Sequence, residues 1–163
     1  MLHKVSIAGL TIDPTSNTPI VVLKSDEDGQ TVPIWIGLLE ATSIAAVLQD
    51  INFDRPMTHD LFKNFLTLQD MSVSGVEVVD IRNNTFYARI NFICRDKHFS
   101  MDARPSDAIA LALRFKAPIY VEDKVLDKSG PGKGREEVHD NSEEGKKWAE
   151  YLKKLSPDKF GKV

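Results

Sequence analysis

Short strand-like segments, most of them alternating apolar with polar residues, are spread over the first 121 residues, and this pattern limits the fold more than any other feature of the sequence. Alternation with a period of two is typical of β-strands that place one face on a core and the other in solvent. We predict strands over seven segments: residues 5–9, 19–23, 32–36, 76–82, 85–94, 98–103 and 117–121. The chain is therefore expected to build a sheet of many strands.

The connections between these strands indicate how they pair. Two loops rich in turn residues separate the first three strands, which we predict to be antiparallel. Asn83 and Asn84 tolerate the positive φ of a tight turn, so the fourth and fifth strands are expected to form a hairpin. Pro33 cannot donate a hydrogen bond to a sheet ladder, and the third strand is therefore expected at an edge of the sheet or to begin near Pro33.

Three segments carry a helical period instead. The first helix is predicted from Leu38 to about Gln49, and the third from Ala108 to about Lys116, with Pro105-Ser106-Asp107 as its cap. The unbroken apolar run of the third helix suits a helix that is buried nearly all round. The second helix has Thr58 as its predicted N-cap, and its predicted apolar face consists of Leu61, Phe62, Phe65, Leu66 and Leu68.

The sequence of 163 residues has an ordinary length for one domain with a tail. Its character changes after Val121, where nearly half of the residues are charged and residues 129–134 read as a flexible glycine-rich linker. We predict one domain over residues 1–127 and a charged tail over residues 128–163. A short helix over residues 142–155 is expected to dock through Trp148, Tyr151, Leu152 and Leu155.

The charge balance excludes binding of nucleic acid through the overall charge of the protein. The formal net charge is −3 and the isoelectric point is about 5.8, whereas proteins that hold nucleic acid mainly by charge show a basic stripe or a basic isoelectric point. A polyanion would therefore have to be held by a local cationic patch or by a bound metal.

Other features indicate a cytoplasmic protein. The longest purely apolar stretch, Ala108 to Leu113, is too short for a membrane span, and the residues that follow Met1 carry no signal-peptide pattern. Cys94 is the single cysteine, so an internal disulfide is excluded, which fits a reducing compartment. We therefore expect a cytoplasmic location and no membrane partner.

Two similar segments concentrate the residues that could carry chemistry, Arg55-Pro56-Met57-Thr58-His59-Asp60 and Arg104-Pro105-Ser106-Asp107. Each places an arginine and a proline just before a helix that begins with a hydroxyl residue and a carboxylate. Two such helix N-termini could converge on an anion such as phosphate, with carboxylates available for a divalent cation. Ordinary capping and helix-dipole stabilisation explain Asp60 and Asp107 equally well.

Three further side chains are candidates on weaker grounds. Asp102 occupies a predicted strand, where aspartate is disfavoured, although a solvent-facing position is its default. Glu40 lies in the first turn of the first helix and could add an oxygen ligand, but a surface glutamate that complements the helix dipole is favoured. His59 beside Asp60 resembles the paired residues of metal phosphohydrolases without the further ligands that such sites need. The spacing of the sequence indicates no Ser-His-Asp arrangement.

Four blocks, in this order, resemble the bifunctional nuclease family, which is described as acting on both DNA and RNA. They are residues 33–41, residues 55–61, residues 102–112 and residues 117–119. The resemblance covers about residues 1–127 and implies an α+β domain in which a mixed, mainly antiparallel sheet packs with about three helices. Some relatives continue into a UVR-type helical segment, which the tail of this chain does not resemble.

The activity implied by the resemblance is hydrolysis of phosphodiester bonds in DNA or RNA, with metal-assisted catalysis by Mg²⁺ or Mn²⁺ as the natural chemistry. No organic cofactor is expected. The candidate residues are His59, Asp102 and Asp107 for catalysis, Arg55, Arg104 and Ser106 for the phosphate, and Asp102, Asp107, Glu40 and Asp60 for the metal, with His59 as general base or acid.

A second class of function stays open from the sequence. The same helix termini could hold a phosphorylated ligand, a nucleotide or a protein partner in a regulatory module without enzymatic activity. A homo-oligomer is also compatible with the sequence. A metal-dependent nuclease should lose activity with a chelator and recover it with Mg²⁺ or Mn²⁺, whereas a binding module should bind saturably without turnover.

Overall fold

The computed structural model describes residues 1–129, which form seven strands and four helices. The strands are β1 Leu2–Ile12, β2 Pro19–Ser25, β3 Thr31–Trp35, β4 Met71–Arg82, β5 Thr85–Cys94, β6 Lys97–Ala103 and β7 Ile119–Glu122. The helices are α1 Leu38–Leu48, α2 Thr58–Leu68, α3 Pro105–Phe115 and α4 Asp123–Ser129. The predicted α+β class is confirmed.

The strands form one sheet in the order β3-β2-β1-β7-β4-β5-β6. Every neighbouring pair is antiparallel except β7 and β4, which are parallel, so the sheet is mixed and mainly antiparallel as the resemblance implies. Strand β3 lies at one edge and pairs only with β2, with Pro33 opposite Val22. The edge position predicted from Pro33 is confirmed.

The core lies between the sheet and the helices. Helix α3 packs on α1 and on strands β4 and β5, and five consecutive residues, Ala108–Ala112, are buried. This burial confirms the prediction from its apolar run. The strand side chains that meet the helices include Val76 and Val78 on β4 and Ile90 and Phe92 on β5, all almost fully buried.

Strand β4 begins at Met71, five residues earlier than predicted. Its pairing with β5 shifts register between Val73 and Gly75 and again between Val78 and Asp80. At each irregularity the alternation of apolar and polar residues shifts by one position. The regular pattern that predicts a strand is therefore interrupted at these two points. The sequence pattern therefore missed the first part of the strand.

The hydroxyl residues predicted as N-caps do not cap their helices. Met57 is the N-cap of α2 and Thr58 is its first helical residue, while the Asp60 carboxylate accepts a hydrogen bond of 3.0 Å from the Met57 N–H. Arg104 is the N-cap of α3, Pro105 occupies the first position, and Ser106 is buried behind it. A proline is preorganised for the first helical position, and α3 therefore starts at Pro105, three residues before the predicted start at Ala108.

Helix α2 buries only part of the apolar face predicted for it. Leu66 is buried and Phe62 packs against the core, but Leu61, Phe65 and Leu68 are exposed. Its strong amphipathic pattern therefore points partly away from the core of the described chain.

Strand β6 forms the other edge of the sheet. Met101 and Phe99 lie opposite Ile90 and Phe92 of β5, on the face that was predicted for them. Both side chains are nevertheless exposed, although the Phe99 ring stacks on Phe92 with 5.3 Å between ring centroids. An edge strand has a neighbour on one side only, which leaves these side chains incompletely covered.

Helix α4 follows the change of composition after Val121 and crosses the predicted end of the domain at residue 127. Its Val125 and Leu126 side chains are buried, and the helix contacts β3, β4 and β7. The folded domain therefore includes Ser129, two residues beyond the predicted boundary, and Ser129 belongs to a helix and not to the linker. The predicted tail helix and its docking residues lie outside the described residues.

Candidate active site at two helix N-termini

Asp107 is the centre of a hydrogen-bonded group of side chains. It lies in the first turn of α3 and accepts hydrogen bonds from Arg104, at 2.8 Å from Nε and 3.2 Å from Nη2. His59, at the start of α2, lies with Nε2 2.9 Å from the Asp107 Oδ1 atom. The two helix N-termini that the sequence singles out therefore do meet, through the imidazole of one and the carboxylate of the other.

Ser43 of α1 completes this arrangement on the other side of the imidazole. Its hydroxyl lies 2.8 Å from His59 Nδ1. Because the carboxylate of Asp107 can only accept, Nε2 of a neutral His59 carries the proton, and Nδ1 accepts from the Ser43 hydroxyl. Ser43, His59 and Asp107 thus follow the order of a catalytic triad, with the roles of the two ring nitrogens exchanged relative to the serine-protease template.

Glu40 joins the group through Arg104. The Arg104 Nη1 atom donates to Glu40 Oε1 at 2.8 Å, so one guanidinium bridges carboxylates from α1 and α3. The Glu40 carboxylate folds over Gly37, where a Cβ atom would collide with it. We call Glu40, Ser43, His59, Arg104 and Asp107 the polar cluster.

The electrostatics of the polar cluster keep Asp107 ionised. Burial by itself would raise its pKa, but the hydrogen bonds from Arg104 and His59 outweigh burial and hold the pKa of Asp107 below its ordinary value. Arg104 remains 65% exposed while it bridges the two carboxylates. The cluster therefore presents a charged guanidinium to solvent above an ionised carboxylate that orients the histidine.

Asp60 lies beneath the polar cluster and has different partners. Its Oδ1 atom accepts from Arg114 Nε at 2.6 Å, and the Arg114 side chain is only 4% exposed. Arg114 also donates from Nη1 to the carbonyl oxygens of Ser43 and Ala110, at 3.3 and 3.0 Å. This ion pair connects all three helices that carry the polar cluster.

Two other candidate residues occupy separate positions. Asp102 lies on β6, opposite Arg89 of β5. Its side chain is on the other face of the sheet from Ala103 and the buried Ala88. Arg55 is exposed in the loop before α2, and within residues 1–129 its side chain makes no hydrogen bond or ion pair. The common anion site predicted for Arg55 and Arg104 stays a prediction, while the structure does not bring Asp102 to the polar cluster.

Sequence reasoning missed Ser43 and Arg114. Ser43 is an ordinary helical serine, separated by 16 residues from His59, which is itself 48 residues from Asp107. No local motif can connect positions so far apart. Arg114 did leave a signal, because it is the one charged residue between Ala108 and Phe115 in a helix predicted to be buried, and a buried cation requires a partner.

A surface cleft of about 1050 Å³ adjoins the polar cluster, with Arg104 and Glu40 on its wall. Its other walls come from the end of β1, from β3, from the β4–β5 hairpin and from the end of α4. Ser106, a predicted phosphate ligand, is buried beside it. Although β3 and β5 are far apart in the strand order, both line the cleft, so the sheet curls around it.

Glu40 and Asp107 are the predicted metal ligands that the structure brings together, since Arg104 binds both. Within residues 1–129 no group of three or more His, Cys, Asp or Glu side chains has the geometry to hold a metal ion. A cation between Glu40 and Asp107 would therefore need water or substrate oxygens to complete its coordination, which is the usual situation for Mg²⁺ in proteins.

The fold and the site together define a single-domain α+β protein that carries a Ser-His-Asp chain, an exposed arginine and a second carboxylate beside a surface cleft. The model of the bifunctional nuclease domain family matches residues 21–132, and the chain belongs to this family. The family inferred from the four sequence blocks is thereby confirmed.

Similar proteins occur in bacteria and plants. An uncharacterised protein of Mycobacterium tuberculosis is 36% identical over 98% of both chains. Bifunctional nuclease 1 of Oryza sativa subsp. indica is 29% identical over 68% of this chain, and bifunctional nuclease 1 of Arabidopsis thaliana is 29% identical over 63%. The matched segment spans only 34% and 33% of these two plant proteins.

No helix among residues 1–129 combines the length and the apolar character that crossing a membrane requires. The cytoplasmic location expected from the sequence stays a prediction.

Proposed function

We propose that this protein is a nuclease that hydrolyses phosphodiester bonds in DNA, in RNA or in both. The observation that carries the proposal is the hydrogen-bonded chain Ser43-His59-Asp107 next to the exposed guanidinium of Arg104. It combines an oriented base with a cation for the phosphate, and both can assist the cleavage of a phosphodiester. The family and its plant relatives named bifunctional nuclease support the same activity.

His59 is the proposed general base. Asp107 fixes the proton on Nε2 and leaves Nδ1 as the basic nitrogen, which is the nitrogen that faces Ser43. The unprotonated nitrogen of a neutral imidazole can accept a proton. Arg104, which projects into solvent from the N-terminus of α3, would neutralise the phosphate of the substrate.

Mg²⁺ or Mn²⁺ is the proposed cofactor, with Glu40 and Asp107 as its protein ligands. When bound, a divalent cation would offset the charge of the phosphate and stabilise charge that develops on its oxygens. Binding of a cation by these carboxylates would also release Arg104 from them, and its donors would then be available to the substrate.

The experiment compares the cleavage of labelled DNA and RNA oligonucleotides by wild-type protein and by Asp107→Asn and Asp102→Asn. Asp107→Asn removes the charge that orients His59 and should lower the rate by about 10²–10⁴-fold. Asp102→Asn is the matched control, because it makes the same chemical change on the opposite sheet face and should preserve the rate.

Assays with EDTA and with added Mg²⁺ or Mn²⁺ test the cofactor separately. Full activity in EDTA would overturn the metal proposal and leave the nuclease proposal standing. Equal cleavage by the wild type and both variants would overturn the nuclease proposal, because that is the result expected from a contaminating nuclease.

A regulatory binding module is the second candidate function. The observation that favours it is the closed pairing of Arg104 with both carboxylates, an arrangement that can exchange one anion for another without reacting. Saturable binding of a phosphorylated ligand, weakened by Arg104→Gln and accompanied by no turnover under any metal condition, would support this function over the nuclease.

A further inference from the structure

We propose that the surface cleft binds a single-stranded segment of nucleic acid, with its bases stacked on Trp35 and Phe86 and a phosphate at Arg104. This inference deepens the proposed function, since it places the substrate strand and assigns residues outside the polar cluster to its recognition. Trp35 lies on β3 and Phe86 lies on β5, and both line the cleft.

The size of the cleft suits a segment of extended chain. Its volume of about 1050 Å³ lies just above the range of about 300–1000 Å³ for small-molecule sites. Both the polar cluster, through Glu40 and Arg104, and the end of α4, through Lys128 and Ser129, line it. A strand held along it would therefore place one phosphate at the cluster while the adjoining bases lie in the cleft.

Trp35 is held in place for this role. Its indole Nε1 donates to Asp13 Oδ2 at 2.9 Å, and Asp13 also accepts from the Thr15 N–H at 2.8 Å. The hydrogen bond from Trp35 and the backbone contacts hold the pKa of Asp13 below its ordinary value, so this acceptor stays ionised. An indole fixed by its edge loses little conformational freedom when a base stacks on its face.

The distribution of charge favours a single strand over a duplex. Two cations, Arg104 and Lys128, line the cleft with side chains 65% and 54% exposed. Two carboxylates, Asp13 and Glu40, line it as well, so the cleft carries no excess of positive charge. The whole chain carries a net charge of −3, so the many phosphate contacts that dominate duplex binding are not available. Stacking on aromatic side chains is the interaction by which proteins bind unpaired bases.

Ser129 adds a hydroxyl to the same wall. The side chain is 8% exposed, and the sugar or base edge of a bound strand could form a hydrogen bond with it.

The test measures binding to the full chain in EDTA, with a fluorescein-labelled single-stranded dT oligonucleotide and an oligo-U of the same length as probes. Fluorescence anisotropy should show that Trp35→Ala and Phe86→Ala each weaken binding by about 5- to 150-fold, the usual effect of removing one stacking ring. Phe65→Ala is the matched control, because it removes an exposed aromatic ring of α2 and should leave the affinity unchanged.

The variant Trp35→Phe distinguishes the loss of a stacking ring from a defect in folding. It loses the hydrogen bond to Asp13 but keeps a ring for stacking, and should bind within a few-fold of the wild type. In a Trp148→Phe background, where Trp35 is the remaining tryptophan, the single strand should also quench the tryptophan fluorescence saturably. A duplex of the same length should compete only at concentrations at least about 10-fold higher.

The salt dependence provides an independent measurement. With two cations in the cleft, the logarithm of the association constant should fall with the logarithm of salt concentration with a slope near about −1.4. A much steeper slope, or binding that Trp35→Ala and Phe86→Ala do not weaken, would overturn the inference. If cleavage depends on Asp107 but binding does not depend on Trp35 and Phe86, the nuclease proposal stands and the inference about the cleft fails. If binding depends on the two rings but no cleavage is observed, the nuclease proposal fails and the inference about the cleft stands.

Discussion

Asp107 shows at the scale of one residue that two explanations of a carboxylate can hold together. Its place in the first turn of α3 lets it complement the positive end of the helix dipole, as capping arguments predict. The same side chain orients His59 and binds Arg104. Stability and function therefore meet in one group, and a change in melting temperature alone cannot separate them.

Asp60 differs from Asp107 because both of its oxygens serve the fold. One accepts from the buried Arg114 and the other from the Met57 N–H. We expect Asp60→Ala to lower the free energy of unfolding by about 3 kcal/mol, because it leaves a buried guanidinium without its counter-charge. Urea unfolding of this variant, with Asp54→Ala in the exposed preceding loop as control, measures the effect.

A double variant tests the reason for this loss. Replacing both partners, in Asp60→Leu with Arg114→Leu, removes the unpaired charge and should restore part of the stability. If Asp60→Ala instead left the unfolding curve unchanged and abolished a response to Mg²⁺ or Mn²⁺, Asp60 would be a metal ligand as the sequence analysis proposed.

At the scale of elements, the short helix α4 is attached to β1 by charge. The Asp123 carboxylate accepts from the amino group of Met1 at 2.6 Å and is hydrogen-bonded to the His3 imidazole, whose other nitrogen lies 3.2 Å from Glu27. The hydrogen bond to Asp123 raises the pKa of His3 against the opposing effect of burial, and Glu27 adds to the increase.

This contact makes part of the stability depend on pH. Because the pKa of His3 is raised in the folded state above its ordinary value of 6.5, its stabilising contribution is complete below about pH 6.5 and is lost as pH rises through the raised value. The difference in unfolding free energy between wild type and His3→Gln should therefore shrink with increasing pH. Urea unfolding between about pH 5.5 and 8.5 measures this difference.

His98→Gln is the control for this titration, since His98 is an exposed residue of the edge strand β6. Its effect on stability should not follow the pH profile of the His3 variant. If the unfolding free energies of the wild type and of His3→Gln differ by the same amount at every pH, the role given to the ion pairs with Asp123 and Glu27 is wrong.

At the scale of the whole molecule, β7 joins the two halves of the sheet. It pairs antiparallel with β1 and parallel with β4, so the strands before α1 and the strands after α2 meet only through it. Helix α4 follows directly and buries Val125 and Leu126 in the same core. The folded unit must therefore contain the chain through α4.

Truncation tests this definition of the domain. A chain that ends after Ser129 should unfold cooperatively, because it contains every strand and helix described here. A chain that ends after Glu122 loses the burial of Val125 and Leu126 and should be destabilised by several kcal/mol, given about 2–5 kcal/mol for the loss of one large buried side chain. Urea or thermal unfolding monitored by circular dichroism compares the two.

The outcome also bears on the residues that follow. If the chain ending after Ser129 failed to fold, Trp148 and the apolar residues near it would be needed to complete the core. Equal stability of both truncated chains would show that α4 contributes little, contrary to the burial of its two apolar side chains.

The resemblance to the nuclease family implied the α+β class. The pattern of residues gave the number of strands, the first three helices and the edge position of β3. These features follow from periodicity and from the covalent limits of proline, which act over a few neighbouring residues. The prediction was wrong at the start of β4, at both helix caps and at α4. In β4 the register irregularities hide the period of the strand, and in α4 only two buried apolar residues stand among charges.

Which polar side chains meet depends on how the helices and strands pack together. The alternation of β6 puts Asp102 on one face of the sheet, yet only the packing of α1, α2 and α3 on the other face separates it from the polar cluster. The same packing brings Ser43 to His59 and buries Arg114 against Asp60. Local sequence patterns predict on which face of a helix or strand each side chain lies. Contacts between residues tens of positions apart depend instead on how whole helices and strands are placed, and a single register shift can change them.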